Sequence, residues 1–139
     1  MSAGFLHNEG RLIMLQVMAG ITAVDRGTNL ELRLFTAISP TRAVTSTRGT
    51  FTEPTLGGYA AIQLPPSSLI AAGVNLTTNV TQTFTANASG YSGGNVLGWL
   101  IVTTGVIPRV LASELFDGGP FAMVAFATLN VTPSLTFNL

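Results

Sequence analysis

The chain has 139 residues, of which 47% are hydrophobic and 9% charged; six arginines, no lysine and six acids give a net charge of zero. This balance excludes a nucleic-acid binder, which needs a basic footprint to displace counterions, and the absence of cysteine excludes disulfides and thiolate metal sites. A soluble domain usually carries about a quarter charged residues, so this surface is either covered with Thr, Ser, Asn and Gly or covered by other subunits, and Arg kept without Lys favours the second.

The first predicted element is a helix over 7–20, with Asn8 as N-cap, Glu9 in the first turn, Leu12, Leu15 and Met18 at helical spacing, and Gly20 as the stop. Ile13 and Val17 broaden its apolar face, so the helix is expected to be largely buried. The apolar run 12–24 is not read as a signal peptide. Glu9 sits in the would-be basic leader, Gln16 interrupts the run, and no convincing small-residue cleavage site follows. From Thr28 the period changes to two. Leu30, Leu32 and Leu34 alternate with Glu31, Arg33 and Phe35, a strand with one face in the core and Glu31 and Arg33 placed to pair on the other.

Residues 37–58 are rich in Thr, Ser, Pro and Gly, with little periodicity, and read as a long surface excursion, a length that is usually functional or stabilised by a partner. Residues 59–64 read as a short strand closed by Pro65 and Pro66. Alternation is clearest over 75–87, where Leu76, Thr78, Val80, Gln82, Phe84 and Ala86 face one way and Asn and Thr residues the other; this predicts one antiparallel strand with a wet outer face. The Asn-x-Ser/Thr triplets at Asn75, Asn79, Asn87 and Asn130 are read as a by-product of such Thr-rich strands rather than as glycan acceptors.

A turn at 89–94 leads into a strand apolar on both faces, with Val96, Leu100 and Val102 against Leu97, Trp99 and Ile101; such a strand belongs at the centre of a sheet or under a second layer. The apolar stretch 96–107 is too short to span a membrane. Segments 109–116, 121–126 and 131–139, with a turn at Asp117-Gly118-Gly119-Pro120, complete the strands. The fold class is mainly β, an antiparallel β-sandwich or barrel-like module with one short N-terminal helix. A single domain over 1–139 is expected, made of an N-terminal helical segment and arm (1–27) and a β-module (28–139).

Few residues are equipped for chemistry. His7 is the only histidine, so neither a His cluster for a metal nor a redundant Ser-His-Asp arrangement is on offer, and it is read as a cap or surface residue. Glu114 and Asp117 are close in sequence, but one lies on a strand and the other opens a turn. The glycines of 89–98 lack phosphate-cradle spacing and a following helix. No enzyme, metal or cofactor is expected. The candidate interface residues are Arg42, Arg48, Phe51 and Glu53 of the long loop, and Phe137 and Leu139 of the last strand; the arginines and Glu53 form either interchain salt bridges or a solvated loop.

Leu32-Arg33-Leu34-Phe35, Pro40, Phe51-Thr52-Glu53-Pro54 and Gly57-Gly58-Tyr59-Ala60 follow one another in an order that resembles small tailed-bacteriophage virion proteins. The stretches Gly98-Trp99-Leu100-Ile101-Val102-Thr103, Ala112-Ser113-Glu114-Leu115-Phe116 and Val131-Thr132-Pro133-Ser134-Leu135-Thr136 continue the resemblance, as does Leu6-His7-Asn8-Glu9-Gly10 before an apolar helix. Members often carry an acidic Gly-Asp turn before the last strand; here Ala127-Thr128-Leu129-Asn130 stands there, so that turn must differ. The resemblance implies a structural component of the virion, assembled in the host cytoplasm, with capsid decoration or cement as the leading role. Its partners would be the major capsid protein or other virion subunits and further copies of itself, a trimer being favoured, with no nucleic acid and no membrane. Two alternatives stand beside it: a tail, baseplate or fibre-attachment component, and a carbohydrate-binding β-sandwich using Tyr59, Tyr91 and Trp99 as platforms.

Overall fold

In the computed structural model, which describes residues 5–21, 26–73, 75–78 and 81–136, alternating apolar segments build antiparallel strands. In chain order the elements are β1 (Phe5–Leu6), α1 (Asn8–Met18), β2 (Leu30–Phe35), β3 (Ala37–Ile38), β4 (Phe51–Thr52), β5 (Ile62–Leu64), β6 (Leu69–Ala72), β7 (Asn75–Thr78), β8 (Gln82–Thr85), β9 (Gly98–Thr103), β10 (Val110–Leu115), β11 (Thr128–Val131) and β12 (Ser134–Thr136). The fold is mainly β with a single short α-helix among the described residues.

Strand β9 is the centre of the fold, and all its residues are buried. It pairs with β2, Leu32 opposite Ile101 and Leu34 opposite Trp99, and on its other side with β10. With β1 and β5 at the edges this makes a five-stranded sheet in the order β1-β10-β9-β2-β5. Two smaller sheets, β12-β7-β6 and β11-β8, face it. Leu30, Leu32, Leu34, Trp99 and Ile101 share one core with Phe84, Val131 and Leu135 of the small sheets and Ile13 of α1. On the opposite face Phe35, Leu100, Val102 and Val110 pack against Phe51 in a second core. Both faces of β9 are therefore covered, which is the physical reason it reads apolar on both. Each such buried side chain contributes roughly 1.5–3 kcal/mol. Trp99 is fully buried, and its Nε1–H finds no partner among the described residues. That orphan donor costs about 1–3 kcal/mol, which the burial of the large ring offsets.

Several expectations are corrected. The N-cap of α1 is His7, not Asn8, and no side chain caps it. The helix is not largely buried. Gly10 and Ile13 are its buried residues, while Leu12, Leu15, Val17 and Met18 are exposed. Gly10 explains how the helix still sits close, since a Cβ there would lie 2.5 Å from the carbonyl oxygen of Leu111. Gly20 does stop the helix, at φ +68°. Its N–H bonds the carbonyl of Val17 and that of Ile21 the carbonyl of Gln16, a Schellman closure.

Of the inward side expected over 75–87, Thr78, Phe84 and Ala86 are buried and Val80 lies outside the described residues; the stretch divides into β7, paired with β6 and β12, and β8, paired with β11. Residues 121–126 are not a strand: a single bridge joins Phe121 to Val96, and the chain then turns. The final stretch is likewise two strands, with Val131 ending β11 and Ser134 opening β12. The predicted departure at 127–130 is mostly strand, since Thr128–Val131 pairs with β8. The 59–64 strand begins only at Ile62. The 37–58 segment is no loose excursion, because β3 and β4 pair within it and Phe51 reaches the second core.

Candidate interaction surfaces

The polar side chains concentrate where the 37–58 segment meets the five-stranded sheet. His7 is fully buried there, a correction to its reading as a cap or surface side chain. Its Nδ1 lies 2.8 Å from the carbonyl oxygen of Ala43, so Nδ1 carries the hydrogen, and its Nε2 accepts from the Ser113 hydroxyl at 2.7 Å. The rings of Phe5 and Phe51 stand edge-on to the imidazole. Burial pulls the His7 pKa down; the bond to Ala43 partly restores it and the nearby Arg42 charge lowers it further. A serine hydroxyl against an imidazole is a nucleophile–base contact, but Ser113 is fully buried as well. Here the pair ties β1, β10 and the loop at Ala43 together.

The candidate loop residues are bound into the same face. Arg42 donates to the carbonyl of Ser113 at 3.2 Å and lies 5.2 Å from the centre of the Phe5 ring. Arg33 donates to Glu53 at 2.8 Å and to Glu31, Arg48 donates to Glu53 at 3.2 Å, and Tyr59 donates to Glu53 at 2.9 Å. Gln63 completes the set by donating to Glu31 at 2.7 Å. Burial alone would raise Glu31, but the bonds from Gln63 and Arg33 and the arginine charges outweigh it and hold the carboxyl below its ordinary value. For Arg33 burial pulls downward and is outweighed by Glu53 and Glu31, which raise it. Burial raises Tyr59 above the usual phenol range. Of the six sequence candidates, Phe51 is a core residue at 7% exposure, a correction to its reading as a contact residue. Arg42, Arg48 and Glu53 are engaged within the chain, and Phe137 and Leu139 lie outside the described residues.

The exposed apolar surface lies elsewhere. Between α1 and the β6–β7 hairpin runs an open groove of about 440 Å³, lined by Ile13, Met14, Val17 and Met18 from the helix and by Leu69 and Ala71 from β6. Arg26 is the one charged residue among its described lining residues. Met18 is 81% exposed, and Leu15 beside it stands well out too. Sequence reasoning found this stripe but assigned it to the core.

A second apolar cluster was missed altogether. Leu56 and Phe126 are each 73% exposed, and both hold positive φ, +57° and +62°. Bulky side chains rarely adopt that backbone, and its cost is of order 1–3 kcal/mol per residue. Asn87 joins the two turns: its N–H donates to the carbonyl of Gly57, and its carbonyl accepts from the N–H of Phe126. Val124, two residues before Phe126, is exposed as well. The available signal was a large apolar residue inside a turn, next to Gly57 in one case and after Ala125 in the other.

Among the platforms of the carbohydrate reading, Trp99 is sealed in the core and the Tyr59 hydroxyl is engaged by Glu53. Tyr91 borders an open cavity of about 350 Å³. Among the described residues no group of three or more His, Asp or Glu side chains is placed to hold a metal, and no helix is long and apolar enough to cross a membrane. No protein-family model, no curated protein and no solved structure matches this chain.

Proposed function

We propose that this chain is a non-enzymatic structural subunit of a bacteriophage virion, a decoration or cement protein that binds at junctions between subunits of the capsid shell. The observation that carries the reading is the apolar stripe of α1 beside its groove, left open in a chain where Glu9, Glu31, Arg33, Arg48, Glu53 and Arg109 pair with one another. Large exposed apolar patches mark contact surfaces. The mechanism is binding alone. A rigid β-scaffold presents apolar side chains to the major capsid protein, and many modest contacts repeated by symmetry add up to shell stability. Assembly takes place in the host cytoplasm, with no cofactor, nucleic acid or membrane required.

Quantitative mass spectrometry of purified particles tests this, reading the ratio of the chain to the major shell protein. A near-stoichiometric ratio is expected. A few copies per particle would move the chain to the tail or a vertex, and its absence would end the virion reading.

A further inference from the structure

Among the described residues His7 is the only titratable side chain that the fold buries completely, and it joins three parts of the chain. Its backbone N–H donates to the carbonyl of Leu111 on β10, and the next N–H, that of Asn8, donates to the carbonyl of Val44 at 2.7 Å. Its ring holds Ala43 on one side and Ser113 on the other. The Ala43 carbonyl also accepts from the N–H of Ser46, and the Ser46 hydroxyl accepts from the N–H of Ala43 at 2.8 Å. The bend 41–46 is thus a closed turn hung on the imidazole. Little else secures this edge, since β1 has two residues, set opposite Ser113 and Ala112.

A proton on this ring meets no acid. From the bend, Arg42 faces it as a second cation, its guanidinium 5.2 Å from the centre of the Phe5 ring. From β1 and β4 the packed groups are the rings of Phe5 and Phe51. From β10 it is the Ser113 hydroxyl, and strand alternation sends Glu114 to the other face of the sheet. From α1, Glu9 is bound to the N–H of Val110 at 2.7 Å and to Arg109. Glu31 and Glu53 are taken by Arg33 and Arg48. The Ser113 hydroxyl can reverse and accept from a charged imidazole, so the hydrogen bond survives protonation. The buried charge is what the site does not tolerate, because a cation without a carboxylate partner is strongly destabilising out of water.

We propose that His7 is an acid-sensitive latch, whose protonation frees β1 and the 41–46 bend from the outer edge of β10 while the rest of the sheet stays folded. Opening lets water reach the imidazolium and bares the carbonyls of Leu111 and Ser113, which His7 and Arg42 hold in the closed form. The free chain carries the latch, so particle composition does not bear on it. Burial makes the closed ring bind its proton less readily than an exposed one. The open form is therefore favoured as pH falls below the ordinary 6.5, by at most about tenfold per pH unit, until the closed form takes up the proton as well.

Residue-resolved amide hydrogen exchange, corrected at each pH for the rate of an unstructured chain, tests this. At about pH 7.5 the amides of His7, Asn8 and Ala43 should be at least about tenfold less protected than those of β9, because a local opening costs less than unfolding. Between there and about pH 5.5 their protection should fall at least about threefold. In His7→Gln, whose side-chain amide stays neutral, the fall should disappear. Latch amides as well protected as those of β9 would overturn the proposal, since His7 would then reach water only when the chain unfolds. So would protection that is the same at both pH values, or an equal fall in His7→Gln. Should that variant fail to fold, the wild type still decides. One histidine in the chain gives one imidazole signal to follow by NMR, and a titration midpoint at or above 6.5 in the folded protein removes the latch.

Discussion

The two faces of the N-terminal segment present opposite chemistry. Toward the 37–58 segment, His7, Ser113, Arg42 and the ion network around Glu53 have their polar atoms paired in short bonds. Toward solvent, α1 presents Leu12, Leu15, Val17 and Met18 beside an open groove. Buried polar groups must be hydrogen-bonded or they destabilise the fold, so the first region reports on folding. Exposed apolar groups carry no such requirement, and the second region reports on contact. In this chain the arginines of the long loop hold the loop down, and exposed apolar side chains, those of the helix among them, are what remains on offer.

Substitutions should separate the two regions by size of effect. Phe51→Ala opens a cavity in the second core and is expected to lower stability by about 3–5 kcal/mol, measured by urea denaturation. His7→Ala removes the partner of the Ser113 hydroxyl and of the Ala43 carbonyl, and about 1–3 kcal/mol should go with them. The same residue sets a pH dependence. The folded His7 pKa lies below its ordinary 6.5, so the unfolded chain binds the proton more readily. The stability that follows is present in full above that ordinary value and is lost as pH falls from it toward the lowered one, at a slope of up to about 1.4 kcal/mol per pH unit. Glu31 also titrates low, but its loss begins only below the carboxylate's ordinary 4.5. In His7→Gln the slope just below pH 6.5 should vanish; an unchanged slope would remove His7 from the account.

On the apolar side the effects shrink or change sign. Phe126→Gly relieves an unfavourable φ but also frees the unfolded chain, so a net gain of up to about 1 kcal/mol is expected; a clear drop in melting temperature would show that the ring is structural. Leu15→Ser on the exposed helix face should stay within about 0.5 kcal/mol of wild type.

The sequence carried the central sheet well. The period of two in β2 and the doubly apolar β9 led to the strands, their inward faces and the burial of Trp99. Glu31 and Arg33 were placed on one face, and they pair there. The helix misled because spacing reveals that an apolar stripe exists, not whether the chain covers it. The His7 node was illegible because its partners lie 36 and 106 residues away. The excursion looked like a loop because its core anchor, Phe51, is a single residue in a polar context. The exposed pair Leu56 and Phe126 was invisible because their turns are joined through backbone bonds of Gly57 and Phe126 to Asn87, which is distant from both in the sequence.

The most direct test of the division compares methionine oxidation by peroxide in the isolated, dilute chain and in purified particles. Met18 stands in solvent on the helix and Met123 is buried in the core, so the second serves as an internal reference. Met18 should oxidise rapidly in the free chain and be protected in the particle, while Met123 stays slow in both. Equal Met18 rates in the two states would mean that the helix face is not covered on assembly, and the assignment of this surface to contact would fall.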